Sequence, residues 1–508
     1  MIDESLSVLF SPEPDPVAVG YQLHQLAQLD AAQSMELFAE VVDNPEALSS
    51  ADPAVAGGLL RVLHTLALRH DRNTVLLRID PSVFVRINEA IPKKTSNRYL
   101  IGHMLAISRT PDALGTLIEF LKFHPPSDWM HAAQVISPLM QSNDWPVEAV
   151  FPELLSCIAE RSLASPIIDL ANFLTRSNRV SVHPAAEQVQ ALNHLLGEVS
   201  HRLGKFEENP REFGDDVETV QDRLGQAVAL AVSLCDAVGL IGDETSIGKL
   251  NQAVELRHRR VQCEAAGALA KFDDEHGKER LVELSKDPAA RLRAIHYLDE
   301  LELGDLVDDQ ERTPNAIAES ELAIWLCQPQ QMGVPPTDVE AIESRRLMWP
   351  SFNDPVDVFL VRYEYNFGQQ QFSNIGITGP VVHTMAADVA ELPTDDIFAI
   401  YAGWHAEHEE IFSIPVGELN PAQARMLQPL IEHLERAGYE GIQPLLLCFM
   451  LDEHAAVFEA SREDTKCLVV SDALETIDHP IAGRPRPLMP EDLFNLYKGR
   501  KMLRTFNS

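Results

Sequence analysis

A helix–turn–helix unit that repeats itself between residues 224 and 303 constrains this chain more than any other stretch. Two turns mark the copies, Gly239-Leu-Ile-Gly-Asp-Glu244 and Ala270-Lys-Phe-Asp-Asp-Glu275. Ile241 falls on Phe272, Asp243 on Asp274 and Leu250 on Leu281, a shared offset of 31 residues. A looser third copy opens at Asp287-Pro288, where Ala294-Ile295, Leu298 and Leu301 echo Ala265-Ala266, Leu269 and Phe272 at an offset of 29. In the first helices, Leu224, Ala227, Ala231, Leu234 and Val238, then Val261, Ala265, Leu269 and Phe272, recur three or four apart and give one apolar stripe each. Two such helices cannot bury both stripes between themselves, so neighbouring pairs must cover them. Self-similarity at this period predicts a stacked helical array, with an ordinary helical bundle as the alternative.

These residues resemble HEAT repeats of the phycobilisome-lyase type, whose units read as a small-residue helix, a Leu-Gly-Asp turn and a second helix. Leu240-Ile-Gly-Asp243 is the closest match, and Lys271-Phe-Asp-Asp274 departs from it by losing the glycine. The resemblance covers residues 224–303 and implies an α-solenoid used as a binding scaffold. No residue here carries over the bilin chemistry of the family's name.

Asp and Glu number 77 against 41 Lys and Arg, a formal net charge of −36 over 508 residues. Such a field repels phosphate backbones and anionic lipid heads, so neither nucleic acid nor a membrane is an expected partner. The six cysteines, Cys157, Cys235, Cys263, Cys327, Cys448 and Cys467, are scattered and form neither a disulfide framework nor a zinc ribbon. The acidic start Met1-Ile-Asp-Glu-Ser does not read as a signal peptide, and no uninterrupted run of 18 apolar residues occurs. The expectation is a cytoplasmic protein.

The predicted fold is mostly α: a HEAT/armadillo-like solenoid followed by a smaller C-terminal α+β domain with an antiparallel sheet. Residues 1–205 read as a divergent helical array, with proline-punctuated segments from Pro16–Leu29 to Pro184–Leu203, among them Pro146–Ala159. A separate helical domain is the alternative there. The acidic stretch Lys205–Glu218 reads as a long loop. Residues 219–330 hold the clear repeats, with Ala316–Cys327 as a capping helix. From Val356 the spacing changes to strands, at 356–365, 372–378, 445–451, 455–460 and 467–471, with helices at Val382–Val389, from Thr394 and from Asn420-Pro421, within a domain at 340–480. The tail, 481–508, is basic, proline-containing and ends in a helix at Glu491–Leu503. With six basic residues against two acidic ones it is expected to fold back on the chain's own acidic surface, through contacts that weaken with salt.

Three motifs invite chemistry. His405 and His408, three apart in Trp404-His-Ala-Glu-His-Glu-Glu410, could face one metal with Glu407 or Glu409. The stripe Ile397, Tyr401, Trp404, His408 and Ile411 instead makes His408 a packing residue, and that reading is preferred. Ser373-Asn-Ile-Gly-Ile-Thr-Gly-Pro380, before a helix at Val382 and His383, could cradle an anion on helix amides. A plain strand exit is the simpler reading. Arg484-Pro-Arg-Pro487-Leu-Met-Pro490 fits a basic-flanked P-x-x-P, or a strap leading to the last helix. No catalytic, cofactor-binding or metal residue is assigned from these, and no cofactor is expected. The functional expectation is a non-catalytic protein-interaction scaffold or adaptor whose partners are other proteins. The alternative places an enzyme or small-ligand sensor in the C-terminal domain, with the solenoid recruiting its target.

Overall fold

The computed structural model describes residues 2–72, 79–328, 330–481 and 483–507, with side chains except at 70–72 and 212. Met1, 73–78 and 329 of the predicted array, and Ala482 and Ser508 of the predicted tail, lie outside the described residues. The chain divides into two compact units, Met1–Leu281 and Val282–Ser508.

The first unit is helical throughout. Its helices are α1 (Ile2–Leu9), α2 (Pro16–Leu26), α3 (Ala31–Asp43), α4 (Pro45–Ser50), α5 (Pro53–Arg72), α6 (Pro81–Ala90), α7 (Tyr99–Ser108) and α8 (Pro111–Phe123). Then follow α9 (Trp129–Gln141), α10 (Arg161–Arg176), α11 (Val189–Glu208), α12 (Val217–Ile241), α13 (Ile247–Val254), α14 (Arg259–Lys271) and α15 (Glu275–Leu284). The punctuation seen in the sequence is helix capping. Asp15, Asp80 and Thr110 each accept an amide hydrogen from the first turn, with a proline at the next position, where no amide is needed. Asp30 and Gln33 close a reciprocal capping box.

Helix neighbours follow chain order in two rows. In one, α5, α7, α9, α10, α12 and α14 each lie against the next; in the other, α6 lies against α8 and α11 against α13. Small residues set the spacing: a Cβ on Gly239 would stand 3.0 Å from that of Ala268, and Ala265 and Ala266 are fully buried beside it. By length and composition α12 could cross a membrane, because Gln226, Ser233 and Asp236 interrupt its apolar run without outweighing it. Here Ser233 and Asp236 have partners. The Ser233 hydroxyl lies 2.8 Å from that of Ser165, Asn172 donates to the Ser233 carbonyl, and Asp236 pairs with Arg176.

Two segments differ from the sequence reading. Pro146–Ala159 is not an α-helix but two 3-10 turns, Val147–Ala149 and Glu153–Cys157, since Pro152 has no amide to donate and restricts Phe151. Lys205–Glu218 is not a long loop. α11 runs to Glu208, Phe206 packs edge-on against Phe213 at 4.9 Å, and Asp216 caps α12 through Thr219.

The second unit opens with α16 (Arg291–Glu300) and α17 (Pro314–Leu326) and then turns to strands. β1 (Asp338–Leu347), β2 (Val356–Phe367), β3 (Gln370–Thr378) and β4 (His383–Thr384) form one antiparallel meander. After α18 (Thr394–His405), strand β5 (Ile411–Pro415) begins a second. It continues past α19 (Pro421–Arg436) through β6 (Glu440–Met450), β7 (Glu453–Arg462), β8 (Thr465–Ser471) and β9 (Thr476–Pro480), before α20 (Pro490–Phe506). There are therefore two antiparallel sheets, not one. Both have apolar residues on both faces. Val358 and Leu360 of β2 join Leu446 and Cys448 of β6 around α18 and α20, while Val361, Tyr363 and Tyr365 face α17. Leu447, Phe458 and Val469 meet Leu427, Leu430 and Leu434 of α19. α17, read from sequence as the cap of the array, covers the first sheet.

The segment Val382–Val389 is not helical. Asn374 Nδ2 donates to the carbonyls of Met385 and Ala387, and its Oδ1 accepts from the Val389 amide, which holds the backbone away from a helix. β1 and β9 escaped the sequence reading because Glu343, Arg345, Arg346 and Asp478 break their alternation, and β5 because it is only five residues long.

Candidate functional site

Each predicted motif can be followed into place. α18 ends at His405, and Ala406 is already extended, with φ −75° and ψ 103°. Three carboxylates, Glu407, Glu409 and Glu410, follow where the helix dipole is negative, an unfavourable place to continue a helix. The proposed stripe therefore breaks after Trp404: His408 lies in a turn, its Nδ1 accepting the Glu410 amide at 3.1 Å, and Ile411 starts β5. His405 Nδ1 accepts from Trp349 Nε1 at 3.0 Å. The two histidines thus do not share a helical face. Among the described residues no group of three or more His, Cys, Asp or Glu side chains is placed to hold a metal ion.

What gathers here is aromatic. Trp404 stacks face to face on His383, centroids 3.7 Å apart and planes within 7°. His383 also meets Trp325 and Tyr401 edge-on, at 5.9 and 6.3 Å, and Phe352 lies 6.4 Å from His405. The base is rigid: Trp349 and Tyr401 are buried, and the Tyr401 hydroxyl donates to the Ile375 carbonyl at 2.6 Å. The top is open, with Trp404 37% and Phe352 38% exposed. Burial holds the His383 imidazole down at about 4, so at neutral pH it is an uncharged stacking surface. Glu407, Glu409 and Glu410, all exposed, follow Trp404 in the chain. Such a surface offers π faces and carboxylates together, the chemistry that receives a guanidinium or an ammonium group. Sequence reasoning passed over it because its rings come from α17, β4, α18 and the loop after β1; the histidine spacing drew attention to the right segment for the wrong reason.

The other two motifs are structural. Ser373–Thr378 is the inner part of β3, and Gly379, at φ +104°, turns the chain so tightly that a Cβ would stand 2.2 Å from the Asp357 carbonyl oxygen. With no helix after it, the anion cradle is absent. The P-x-x-P segment is a docked strap. Arg484 pairs with Glu391 at 3.2 Å and Arg486 with Asp388 at 3.5 Å, with the Arg486 guanidinium 4.1 Å over the Phe372 ring. α20 is held by charge and by burial. Arg500 grips Asp396 with two bonds of 2.6 and 2.7 Å, and Lys501 bonds Glu453 and Asp472, while Leu493, Phe494, Leu496 and Tyr497 are buried. The described cysteines offer no ready thiolate: burial pushes Cys327 up to about 11, and the rest are buried.

No family model matches the chain, and no curated protein sequence matches it. Among solved structures, one described as "lipid-protein interactions in lipovitellin" is similar at 14% identity and a TM-score of 0.31, over 92% of this chain and 52% of that one. The chain spans about half the length of that structure.

Proposed function

We propose that this chain is a non-catalytic interaction scaffold of the cytoplasm, built from a HEAT-like solenoid and a C-terminal module that binds a cationic segment of another protein. The solenoid reading rests on the offset of 31 residues between turns and on the two rows of helices that neighbour one another in chain order. The binding reading rests on one observation: a third-exposed Trp404 fixed flat on neutral His383, with Phe352 near the adjoining His405 and three exposed glutamates in the segment that follows. A chain of net charge −36 attracts basic partners over distance, and the aromatic face supplies the short-range selection that charge alone lacks.

The test is a calorimetric titration of the full chain with an arginine–glycine repeat peptide at physiological salt. Trp404→Ala leaves net charge unchanged and is expected to weaken binding about tenfold, the equivalent of roughly 1.4 kcal/mol for a partly desolvated cation–π contact. Equal affinity for both proteins would reduce the interaction to bulk charge and end the proposal for this face.

A further inference from the structure

The first unit holds a second site of opposite character. A cleft of about 360 Å³ opens between the start of α10, the middle of α11 and α12, lined by Arg161 and Arg202 together with Leu195, Val199, Ala227 and Leu230. Several arginines elsewhere in this acidic chain are matched to carboxylates: Arg176 to Asp236, Arg312 to Asp299, Arg500 to Asp396. Among the described residues, neither Arg161 nor Arg202 has a carboxylate within ion-pair distance. Glu198, at the rim, pairs instead with His194 at 3.3 Å. Arg202 is half-buried, and burial followed by the charges of Arg161 and Arg223 lowers its pKa, so three guanidinium groups crowd one place with mutual repulsion. Arg223 is turned to the Phe213 carbonyl, and Arg202 lies 5.3 Å over the Phe213 ring, which fixes the guanidinium beside the cleft.

Keeping like charges together costs stability unless something of opposite sign relieves them. The cleft is at the small end of ligand-pocket volumes, and part of its wall is apolar, which suits a compact organic ion rather than a bare inorganic one. We propose that the α10–α11–α12 cleft binds a small amphiphilic organic anion, its carboxylate, phosphate or sulfonate held by Arg161 and Arg202 and its apolar body against Leu195, Val199, Ala227 and Leu230. The site is independent of the Trp404 face, which belongs to the other unit.

The probe is 8-anilinonaphthalene-1-sulfonate, followed by its fluorescence on the full-length chain at pH 7. Saturable binding to one site is expected, weakened at least tenfold in Arg161→Gln/Arg202→Gln, and unchanged in Arg86→Gln, which removes one positive charge from an exposed pair with Asp43. The uncharged analogue N-phenyl-1-naphthylamine is expected to bind at least tenfold more weakly than the sulfonate. Should the double variant fold poorly, Gln226→Trp, which fills the cleft while keeping both arginines, is expected to abolish binding just as well. The proposal is overturned by no saturable binding to the unmodified chain, by equal binding in the double or filled variant, or by equal affinity for the uncharged analogue.

Discussion

Asp472 shows how single groups stabilise the second unit. Its carboxylate accepts from the Tyr497 hydroxyl at 2.6 Å, from Lys501 and from the amides of Leu474 and Glu475. Burial pushes the carboxyl up, but those bonds outweigh it and hold it well below the usual carboxylate range. A carboxyl depressed in the fold stabilises fully above its unfolded value and loses that contribution as pH falls through the folded one. Asp472→Asn is therefore expected to lower stability by about 3 kcal/mol at pH 7, the cost of breaking a buried pair, with the gap to the unmodified chain narrowing below about pH 4 in chemical denaturation. Histidines govern a higher window. Burial is the largest cause holding His103, His183 and His258 down at about 4, and each is neutral in the fold. An unfolded imidazole titrates near 6.5, so below that pH the unfolded chain takes up protons that the folded one refuses. Stability of the first unit is expected to be intact above pH 6.5 and to fall between pH 6.5 and 4, by at most about 1.4 kcal/mol per histidine per pH unit. A urea midpoint that is the same at pH 7 and pH 5 would contradict this.

At the level of elements, the crossing of α18 and α20 decides whether the tail stays in place. A Cβ on Gly499 would stand 1.7 Å from the Ala399 carbonyl oxygen, and one on Gly403 would stand 1.9 Å from that of Asn495, so the two backbones touch. Gly499→Ala is expected to cost about 3 kcal/mol by overpacking and to expose Arg500 and Arg504 to trypsin, while Gly483→Ala, in open space apart from its positive φ, leaves α20 docked. Because the contact is apolar as well as ionic, α20 of the unmodified chain should stay protected at 1 M salt. That differs from the salt-sensitive docking read from its charge. The docking itself was legible in the tail's six basic residues and in Leu493, Leu496 and Tyr497; the glycine contact was not, since Gly403 and Gly499 are far apart in sequence. Strands with apolar alternation, β2, β3, β6, β7 and β8, were legible for the same local reason that helix caps were. β1 was not, because its face is set by α17 and β2 rather than by its own alternation. The helix expected at Val382–Val389 failed on one side chain, Asn374, whose three bonds come from a neighbouring strand.

At the level of the whole molecule, the echo between 224 and 303 pointed to helix, because each copy reads as one helix pair whose apolar stripe needs a neighbour to cover it. Both proposed sites lay beyond that logic. Arg161 and Arg202 come together only when α10 and α11 both pack on α12, and Trp404 meets His383 only across separate elements of the second unit. The central claim is that this acidic chain selects a basic partner at the Trp404 face rather than by charge spread over its surface. Hydrogen–deuterium exchange of the full-length protein, with and without saturating arginine–glycine peptide at physiological salt, addresses it most directly. Slowed exchange confined to residues 349–354 and 402–411 is the expected result. Slowed exchange distributed over the acidic surface of both units, or none at 402–411, would contradict the claim.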